Sequence, residues 1–434
     1  MIIVDLPVLE NVMNLYSGIK LSGYHLYSSI YETTPKLSFS YTPGYTTPDM
    51  LGLAFGSSFP IKWKTELSFE EATQDENNIK NYTDPKDFAG MVVQEITEAG
   101  EKAGEELTTV TCTGEFDFTQ NTALRKAYTK KFGQDIIKDV LQSNRALQSY
   151  EQNIQKTDNS NTILRTVGET DEDFILQTVN SQYTINNGRP IFFTSLDRKV
   201  HFTSVNNIID NVKKTKVVLH MGDVNDKPSE EFVNSTLRNY ANTKKCIHLT
   251  VGPHKFRIGG KQYVKNIKPS IYYTNFENGT NMTTGFTFKP ALKKKFYYPI
   301  DLMNYTMTKT SRSFAAVNRP ESTFAYEAKN YVYDANDLIS IEATITVFND
   351  LHELILAGDV VTVLTKYPYS PYNGNYVVEM VEYGMEQTSP FLKLRLIRPN
   401  LDLNWVDGLK KSKDSQDFSF PFAPAFNKSL YYNI

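Results

Sequence analysis

The sequence predicts a mainly β protein with α+β insertions, and three features of the chain support this prediction. Apolar and polar residues alternate over Ile339–Val347, the period-two pattern of a strand with one buried face. A second β-rich segment occupies residues 1–120. Between the two, residues 121–205 place apolar residues at the three- and four-residue spacing of amphipathic helices.

Length and charge set the scale of the molecule and limit its classes of partner. At 434 residues the chain is expected to fold into about two to four domains. It carries 46 basic and 49 acidic residues, a balance that calls for neither a nucleic-acid nor a membrane partner. Aromatic residues make up 13% of the chain, which suits strands and broad protein contacts, and equally an AT-rich genome.

Cysteine content and the amino-terminal segment indicate folding in a reducing cytoplasm. The two cysteines, Cys112 and Cys246, are too few for a disulfide framework or a cysteine-based zinc site. Residues 1–15 lack the basic start and apolar run of a signal peptide. No apolar run reaches the roughly 18 residues that a membrane span needs, so no membrane insertion is expected.

Residues 1–120 are predicted to form the first β domain. Leu37, Phe39 and Tyr41 alternate with polar residues, and Val110–Thr113 closes the domain as a strand. Between these strands, residues 84–104 are predicted to be a helix or a flexible loop. That prediction depends on four apolar residues at helical spacing, Phe88, Met91, Val92 and Ile96.

Residues 121–205 are predicted to form a small α/β domain. A second helix begins at Thr170, whose side chain can form a capping pair with Asp173. A hairpin is expected around Asp197-Arg198, and the polar residues 142–162 are expected to be loops. The first helix, or helix pair split at Gly133, is predicted from the spacing of Leu124, Tyr128, Phe132, Ile136, Ile137, Val140 and Leu141.

Residues 206–334 are predicted to be an inserted accessory domain with long loops. Lys216–Met221 is a predicted strand, and residues 206–225 are a candidate partner of the second β domain. A short helix is predicted over Ser229–Ala241. Residues 401–434 end in an aromatic stretch and are predicted to be a docking arm.

Residues 335–400 are predicted to form the second β domain from four antiparallel strands. The alternating segment that begins at Ile339 is the first strand. The other three are predicted over Asp359–Leu364, Tyr376–Tyr383 and Phe391–Arg398, with a turn at Asn373-Gly374-Asn375.

The search for catalytic motifs finds none, so the sequence predicts no enzyme, cofactor, catalytic residue or ligand-binding residue. His352-Glu353 lacks the second histidine of a zinc protease, because Leu356 stands in its place. Gly259-Gly260-Lys261 lacks the spacing of a phosphate loop. A metal bound near His248 and His254 is left open as the less favoured alternative.

The order of these segments resembles the baseplate hub proteins of contractile-tailed bacteriophages, which are related to the hub half of type VI secretion spike proteins. Two segments carry the resemblance besides the domain order. One is the helix start at Glu169–Ile175 followed by a strand pair ending in Val200-His201-Phe202. The other is Leu356–Val361, followed by the strand from Gly374 and a closing basic strand. The resemblance covers residues 1–205 and 335–400.

The resemblance implies a fold with two tube-type antiparallel β-barrel domains, residues 1–120 and 335–400. It adds an accessory α/β domain at 121–205 and an accessory β domain at 206–334. Three chains would then present six similar barrels, so that a homotrimer imitates six-fold symmetry. The polar side of the alternating strands would line the tube or an interface, through Ser340, Glu342, Thr344, Thr346, Lys393 and Arg395.

The function implied by the resemblance is that of a structural virion protein in the tail baseplate, assembled in the host cytoplasm. As a trimeric hub it would adapt a six-fold tail tube to a three-fold central spike and form part of the DNA-delivery channel. Its partners would be the tail tube protein, the central spike protein and the wedge proteins of the baseplate. The tape-measure protein is a further candidate partner, and DNA would be present only in transit.

Two alternatives stay open at the level of sequence. The first is a carbohydrate-binding or depolymerising tail protein, whose aromatic residues would grip glycans in a cleft. The second is a tail-tube, tail-completion or connector protein, in which the barrel would occur once per chain. A structural repeat between residues 1–120 and 335–400 would distinguish the hub from this second alternative.

Overall fold

Most strands of the molecule belong to one large sheet that collects segments from distant parts of the chain, as a computed structural model shows. The structure describes residues 2–5, 20–42, 53–65, 86–87, 90–102, 105–114, 125–144, 150–181, 183–186, 188–211, 215, 217–221, 247–251, 254–258, 270–275, 280–285, 313–317, 339–345, 354–365, 373–386 and 389–398.

The first β segment confirms the predicted strands and corrects one element. Leu37, Phe39 and Tyr41 are buried along β3, as their alternation predicts. Within the predicted helix or loop at 84–104, residues 91–102 instead form the long strand β7, which pairs with β8. The strands of this segment are β1 (Ile2–Asp5), β2 (Lys20–Ser29), β3 (Lys36–Thr42), β4 (Ser58–Phe59), β5 (Lys62–Thr65), β6 (Lys86–Asp87), β7 (Met91–Lys102) and β8 (Glu105–Gly114).

The small α/β domain has its own hydrophobic core and two pieces of sheet. β9 pairs antiparallel with β11, and β12 and β13 form the predicted hairpin, with β10 parallel to β13. The elements are β9 (Lys126–Phe132), α1 (Gly133–Ser143), β10 (Glu151–Ile154), β11 (Ser160–Arg165), α2 (Asp171–Val179), β12 (Ile191–Ser195), β13 (Lys199–Thr203) and α3 (Val205–Asp210).

Two predictions for this domain were wrong. Helical spacing before Gly133 does not give a helix, because residues 126–132 pair as strand β9 with β11. The residues predicted as loops contain β10 and the start of β11. Strand pairing is a tertiary effect that overrides local preference, and spacing alone does not reveal it.

The capping pair at the start of α2 is confirmed with a different geometry. The Thr170 hydroxyl oxygen accepts a hydrogen bond from the Asp173 backbone amide at 3.0 Å. The same hydroxyl donates to the Asp173 carboxylate at 2.7 Å, so the acid contacts the cap side chain rather than its backbone.

The four strands predicted for residues 335–400 are confirmed as β20–β23, and three earlier strands join them. β14 pairs in parallel with β21, as proposed for residues 206–225. β15 pairs with β14 and β16 pairs with β20, so residues 247–251 and 254–258 also belong to this sheet. These strands are β14 (Val217–Met221), β15 (Ile247–Val251), β16 (His254–Ile258), β20 (Ile339–Ile345), β21 (Val360–Thr365), β22 (Gly374–Glu386) and β23 (Ser389–Arg398).

Five of these strands lie side by side in the order β14-β21-β22-β23-β20. β15 pairs with β14 at one end of this row, β16 pairs with β20 at the other end, and two residues separate β15 from β16 along the chain. The second β segment is therefore a run of seven paired strands that includes the parallel pairs β14–β15 and β14–β21. A separate sheet contains β17 (Ser270–Asn275), β18 (Thr280–Gly285) and β19 (Ser313–Val317).

Several sequence predictions lie outside the described residues. They concern the helix at Ser229–Ala241, the docking arm at 401–434, and the motif residues His352-Glu353 and Gly259-Gly260-Lys261. None of the helices in the described ranges has the length and apolar character required to cross a membrane.

Candidate functional site

Two units of the large sheet repeat the same arrangement of five strands. In the first repeat the strands lie in the order β2-β3-β8-β7-β4, and in the second repeat in the order β16-β20-β23-β22-β21. Every neighbouring pair in both repeats is antiparallel. The strands also succeed one another along the chain in the same way. The two repeats therefore share one topology.

A β-bulge occurs at the same place in both repeats. The pairing of β7 with β8 shifts between Val93 and Glu95, and the pairing of β22 with β23 shifts between Val378 and Met380. A bulge bends its strand and changes which face the following side chains occupy. Its presence at the same position means that the repeats agree in register as well as in order, with Val93 equivalent to Val378.

The turn before the edge strand of each repeat is also the same. Gly56 and Gly358 have positive φ angles of 80° and 88°, which favour glycine. The Gly56 amide donates to the Val93 carbonyl at 2.9 Å, and the Gly358 amide donates to the Val378 carbonyl at 2.8 Å. In return the Val93 amide donates to the Ser57 carbonyl at 3.0 Å, and the Val378 amide donates to the Asp359 carbonyl at 2.8 Å.

The repeat has a weak trace in the sequence that pattern reading missed. Residues 91–100 read MVVQEITEAG, and residues 376–385 read YVVEMVEYGM. The two segments share the pair of valines before the bulge and an aliphatic residue three positions after the second valine. A comparison of the chain with itself, anchored on this segment, could have revealed the duplication.

The two repeats are joined edge to edge by the antiparallel pairing of β2 with β22, which we call the repeat seam. Its register runs from Gly23 opposite Glu386 to Ser29 opposite Met380. The first part of β22 pairs with β21 of its own repeat, and the later part pairs with β2. One continuous sheet therefore passes through both repeats.

One side of this continuous sheet, called the polar face below, carries polar and charged residues on β20, β23, β22, β2, β3 and β8. The opposite side is buried in a hydrophobic core that both repeats share. The polar face comprises Glu342, Thr344, Arg395, Lys393, Glu382, His25, Tyr27, Ser38, Ser40, Thr111 and Thr109.

Four residues predicted for the tube or interface come together on the polar face. Glu342 lies opposite Arg395, and Thr344 lies opposite Lys393 in the pairing of β20 with β23. All four side chains are partly exposed, whereas the residues between them on both strands are buried. The structure thus confirms their common face, and their role in a tube or interface stays a prediction.

Two further residues were predicted for the same role. Ser340 lies in β20 two positions before Glu342, in the same regular pairing with β23, and Thr346 lies outside the described residues. Sequence reasoning missed three residues whose side chains contact one another or the basic residues of the polar face, namely His25, Glu379 and Glu382. Their alternation within β2 and β22 was available from the sequence, but their contact depends on the repeat seam and the bulge, which are long-range features.

The charges of the polar face pair across strands. Lys393 Nζ lies 3.7 Å from the carboxylate of Glu382, which also contacts His25 Nδ1 at 2.7 Å. Arg395 Nε lies 3.0 Å from the carboxylate of Glu379, the residue placed at the bulge. The basic side chains are partly exposed, at 41% for Lys393 and 42% for Arg395, whereas Glu379 is only 8% exposed. The two ion pairs join β23 to β22 within the second repeat, and the contact of His25 with Glu382 crosses the repeat seam.

The α/β domain packs against the second repeat at the turn that contains Gly358. A Cβ atom at Gly358 would lie 2.6 Å from the ring of Phe193 in β12, so this close approach requires glycine. The Thr194 amide and hydroxyl both donate to the Thr33 carbonyl, at 3.0 Å and 2.8 Å. At the equivalent turn of the first repeat, no described residue lies within 4 Å of a Cβ placed at Gly56.

One cluster in the α/β domain brings together the residue types of a hydrolase triad, but its arrangement differs. Ser195 Oγ lies 3.1 Å from His201 Nε2 and donates to the Asp197 carboxylate at 2.5 Å. In a triad the carboxylate orients the histidine, whereas here it accepts from the serine and pairs with Lys199 at 2.9 Å. Burial lowers the pKa of His201 to about 4, which suits a structural contact.

Metal binding has no support among the described residues. No group of three or more histidine, cysteine, aspartate or glutamate side chains in the described ranges could hold a metal ion. His248 lies on β15 and His254 lies on β16, and these two strands are not paired with each other in the described part of the sheet.

Comparison with known proteins finds similarity in structure alone. No family model matches the chain, and no curated protein matches it. The tail protein from Neisseria meningitidis MC58 aligns with a TM-score of 0.52 at 10% identity, over 87% of this chain and 92% of that chain. The chain has the same fold as this tail protein.

Two other solved structures align less closely. The 43 kDa tail protein of prophage MuSo2 from Shewanella oneidensis has a TM-score of 0.47 at 10% identity, over 88% of this chain and 97% of that one. The E. coli c3393 protein, a type VI secretion component similar to the T4 tail proteins gp27 and gp5, has a TM-score of 0.44 at 10% identity. It is matched over 92% of this chain and 76% of its own. The strands and sheets of the structure itself confirm the prediction of a mainly β fold.

Proposed function

We propose that the chain is a structural component of a phage-type tail, a trimeric baseplate hub that adapts a six-fold tail tube to a three-fold central spike. The observation that carries this proposal is the duplication of the five-stranded unit, with the same order, register and bulge in both copies. Two equivalent units per chain give three chains six equivalent positions around an axis.

The duplication favours the hub over a protein in which the barrel occurs once per chain. A tube subunit with one barrel matches six-fold symmetry through six separate chains. A chain with two joined repeats needs only three copies, and the parts that differ between the repeats can follow three-fold symmetry. The α/β domain is such a part, because its Phe193 contacts the turn at Gly358 of the second repeat, whereas none of its described residues lies within 4 Å of a Cβ placed at Gly56 in the first.

The polar face supports a role as the wall of a DNA-delivery channel. Glu382 is paired with Lys393 and Glu379 with Arg395, so much of the charge of this face is balanced by close opposite charge. Proteins that bind DNA do so largely through unpaired basic residues, which displace counterions from the DNA phosphates. A surface with balanced charge would allow DNA to pass without retaining it. The remaining partners proposed are the tail tube, central spike, wedge and tape-measure proteins.

The proposal is tested by the size and shape of the purified protein. We expect mass photometry to show a concentration-dependent trimer, and cryo-electron microscopy to show a ring with a central channel lined by the polar face. Addition of the cognate tail tube protein should stabilise the ring. A protein that stays monomeric at all concentrations, with and without the tube protein, would contradict the proposed function.

A further inference from the structure

The two strands that form the repeat seam, β2 and β22, have equivalents in the other repeat, β16 and β7, which are not paired with each other in the described part of the chain. In the second repeat, β22 pairs with β21 through residues 374–377 and with β2 through residues 380–386. In the first repeat, β7 pairs with β4 through Met91 and Val92, and within the described ranges no strand follows on that edge. On the other side, β16 is equivalent to β2 but pairs only with β20 in the described part of the chain.

We propose that β16 of one copy pairs antiparallel with β7 of a second copy of this chain, and so forms an intermolecular equivalent of the repeat seam. This inference rests on the proposed function, because it specifies how the copies of the ring contact one another. The two edges are different surfaces, so their contact is head-to-tail and can close a ring. The contact also removes two strand edges from solvent, where they would risk aggregation.

The register of this contact follows from the repeat. Because Leu37 in β3 is equivalent to Ile341 in β20, their partners Leu26 in β2 and Phe256 in β16 are equivalent. Leu26 pairs with Tyr383 in the repeat seam, and counting from the bulge makes Tyr383 equivalent to Glu98. The opposed pairs across the two copies are therefore Phe256 with Glu98, Lys255 with Ala99, Arg257 with Thr97, and Ile258 with Ile96.

Charge gives an independent argument for the same pairing. The segment of β7 from 95 to 101 contains Glu95, Glu98 and Glu101, whereas β16 reads HKFRI and contains Lys255 and Arg257. In the proposed register Glu95 shares a face with Lys255 and Arg257, whereas Glu98 lies on the other face, opposite Phe256. An acidic strand beside a basic strand is favourable, while either strand beside its own copy brings like charges together. The sequence thus favours the head-to-tail contact and opposes a two-fold contact of either edge with itself.

One ion pair is expected at a defined place. In the repeat seam, His25 contacts Glu382, which lies two residues before its directly opposed partner. The same diagonal in the proposed contact leads from Arg257 of one copy to Glu95 of the next. Glu95 is exposed in the single chain.

Disulfide trapping tests the register. In a Cys246→Ser background, which leaves only the buried Cys112, the pair Ala99→Cys and Lys255→Cys should form covalent multimers under mild oxidation. Opposed residues in antiparallel strands have Cα atoms about 4.5–5.5 Å apart, within the range that a disulfide spans. The matched control is Ala99→Cys with Phe256→Cys, which the one-residue shift places on opposite faces.

Charge exchange tests the same contact without a covalent bond. Arg257→Glu or Glu95→Arg alone should weaken association by roughly three- to tenfold per contact, and the double exchange should restore it. Lys138→Glu, at an exposed position of α1, is the matched control and should leave the association constant unchanged.

The outcomes separate this inference from the proposed function. Multimers linked through positions 99 and 255, with little product from 99 and 256, support the β16–β7 contact. A trimeric ring that forms equal product from both cysteine pairs, or none from either, overturns this contact and leaves the hub function standing. A wild-type protein that is monomeric with and without the tube protein overturns both.

Discussion

At the scale of single residues, Gly384 shows how the polar face accommodates an aromatic ring. A Cβ atom at this position would lie 2.1 Å from the ring of Phe391, its opposed partner in β23. The ring is only 8% exposed, because Lys393 Nζ lies 4.2 Å from its centroid and the His25 ring centroid lies 5.5 Å away. The missing side chain thus lets the ring lie flat across β22.

Replacement of Gly384 by alanine should therefore destabilise the protein by overpacking. We expect Gly384→Ala to lower the free energy of unfolding by about 1–3 kcal/mol, measured by urea denaturation. Phe391→Leu should remove much of this effect in the double variant, because the smaller side chain leaves room for the methyl group. Equal stability of Gly384→Ala and the wild type would contradict the close approach.

The residues of the candidate site were predictable only where local alternation determines them. Glu342 and Thr344 follow from the period-two pattern of β20, which stays regular over its described length. Glu379 could not be placed in this way, because the bulge puts it out of step with its strand. His25 joins the cluster through a partner 357 positions away, which no local pattern reveals.

At the scale of elements, the bulge explains why β7 was mistaken for a helix or loop. Met91, Val93 and Ile96 all pack in the core, although a regular strand would bury residues of one parity. The extra residue at the bulge changes the parity, and the resulting spacing resembles that of a helix. Strand β9 was missed for another reason, since its pairing with β11 is set by tertiary structure.

The start of α2 gives a testable case of an element anchored by a buried ion pair. Arg165 at the end of β11 donates to the Asp171 carboxylate at 2.6 Å, and both side chains are 5% exposed. Its guanidinium also donates to the Glu169 carbonyl at 3.1 Å and lies 5.2 Å from the centroid of the Phe174 ring. The pair therefore fixes the helix start against the sheet of the α/β domain.

Removal of one partner should cost more than removal of both. Arg165→Met should lower the free energy of unfolding by about 3–5 kcal/mol, because it leaves the Asp171 carboxylate buried without its cation. The double variant Arg165→Met with Asp171→Leu should recover part of this loss. Thermal unfolding followed by circular dichroism gives the comparison, and a double variant less stable than the single one would refute this account.

At the scale of the whole molecule, the duplication predicts that equivalent residues contribute equally to stability. Val93 and Val378 occupy the same position before the bulge, and both have 0% exposure. We expect Val93→Ala and Val378→Ala each to cost about 1–3 kcal/mol of unfolding free energy. Because they lie in different repeats, their effects should add in the double variant.

The control for this comparison is Lys138→Ala, at an exposed position of α1 outside both repeats. It should change the unfolding free energy by less than about 0.5 kcal/mol. Strongly different costs for the two valines, measured by urea denaturation, would argue that the repeats are alike in topology but not in packing.

The repeat seam also constrains how a newly made chain can fold. Strand β2 leaves the ribosome long before β22, its partner 357 positions later between His25 and Glu382. Contacts of such long range are slow to form, because a large loop must close first. Throughout synthesis β2 would therefore keep one edge without its final neighbour. Truncated products that stop before β22 should accordingly be prone to aggregation and attractive to chaperones.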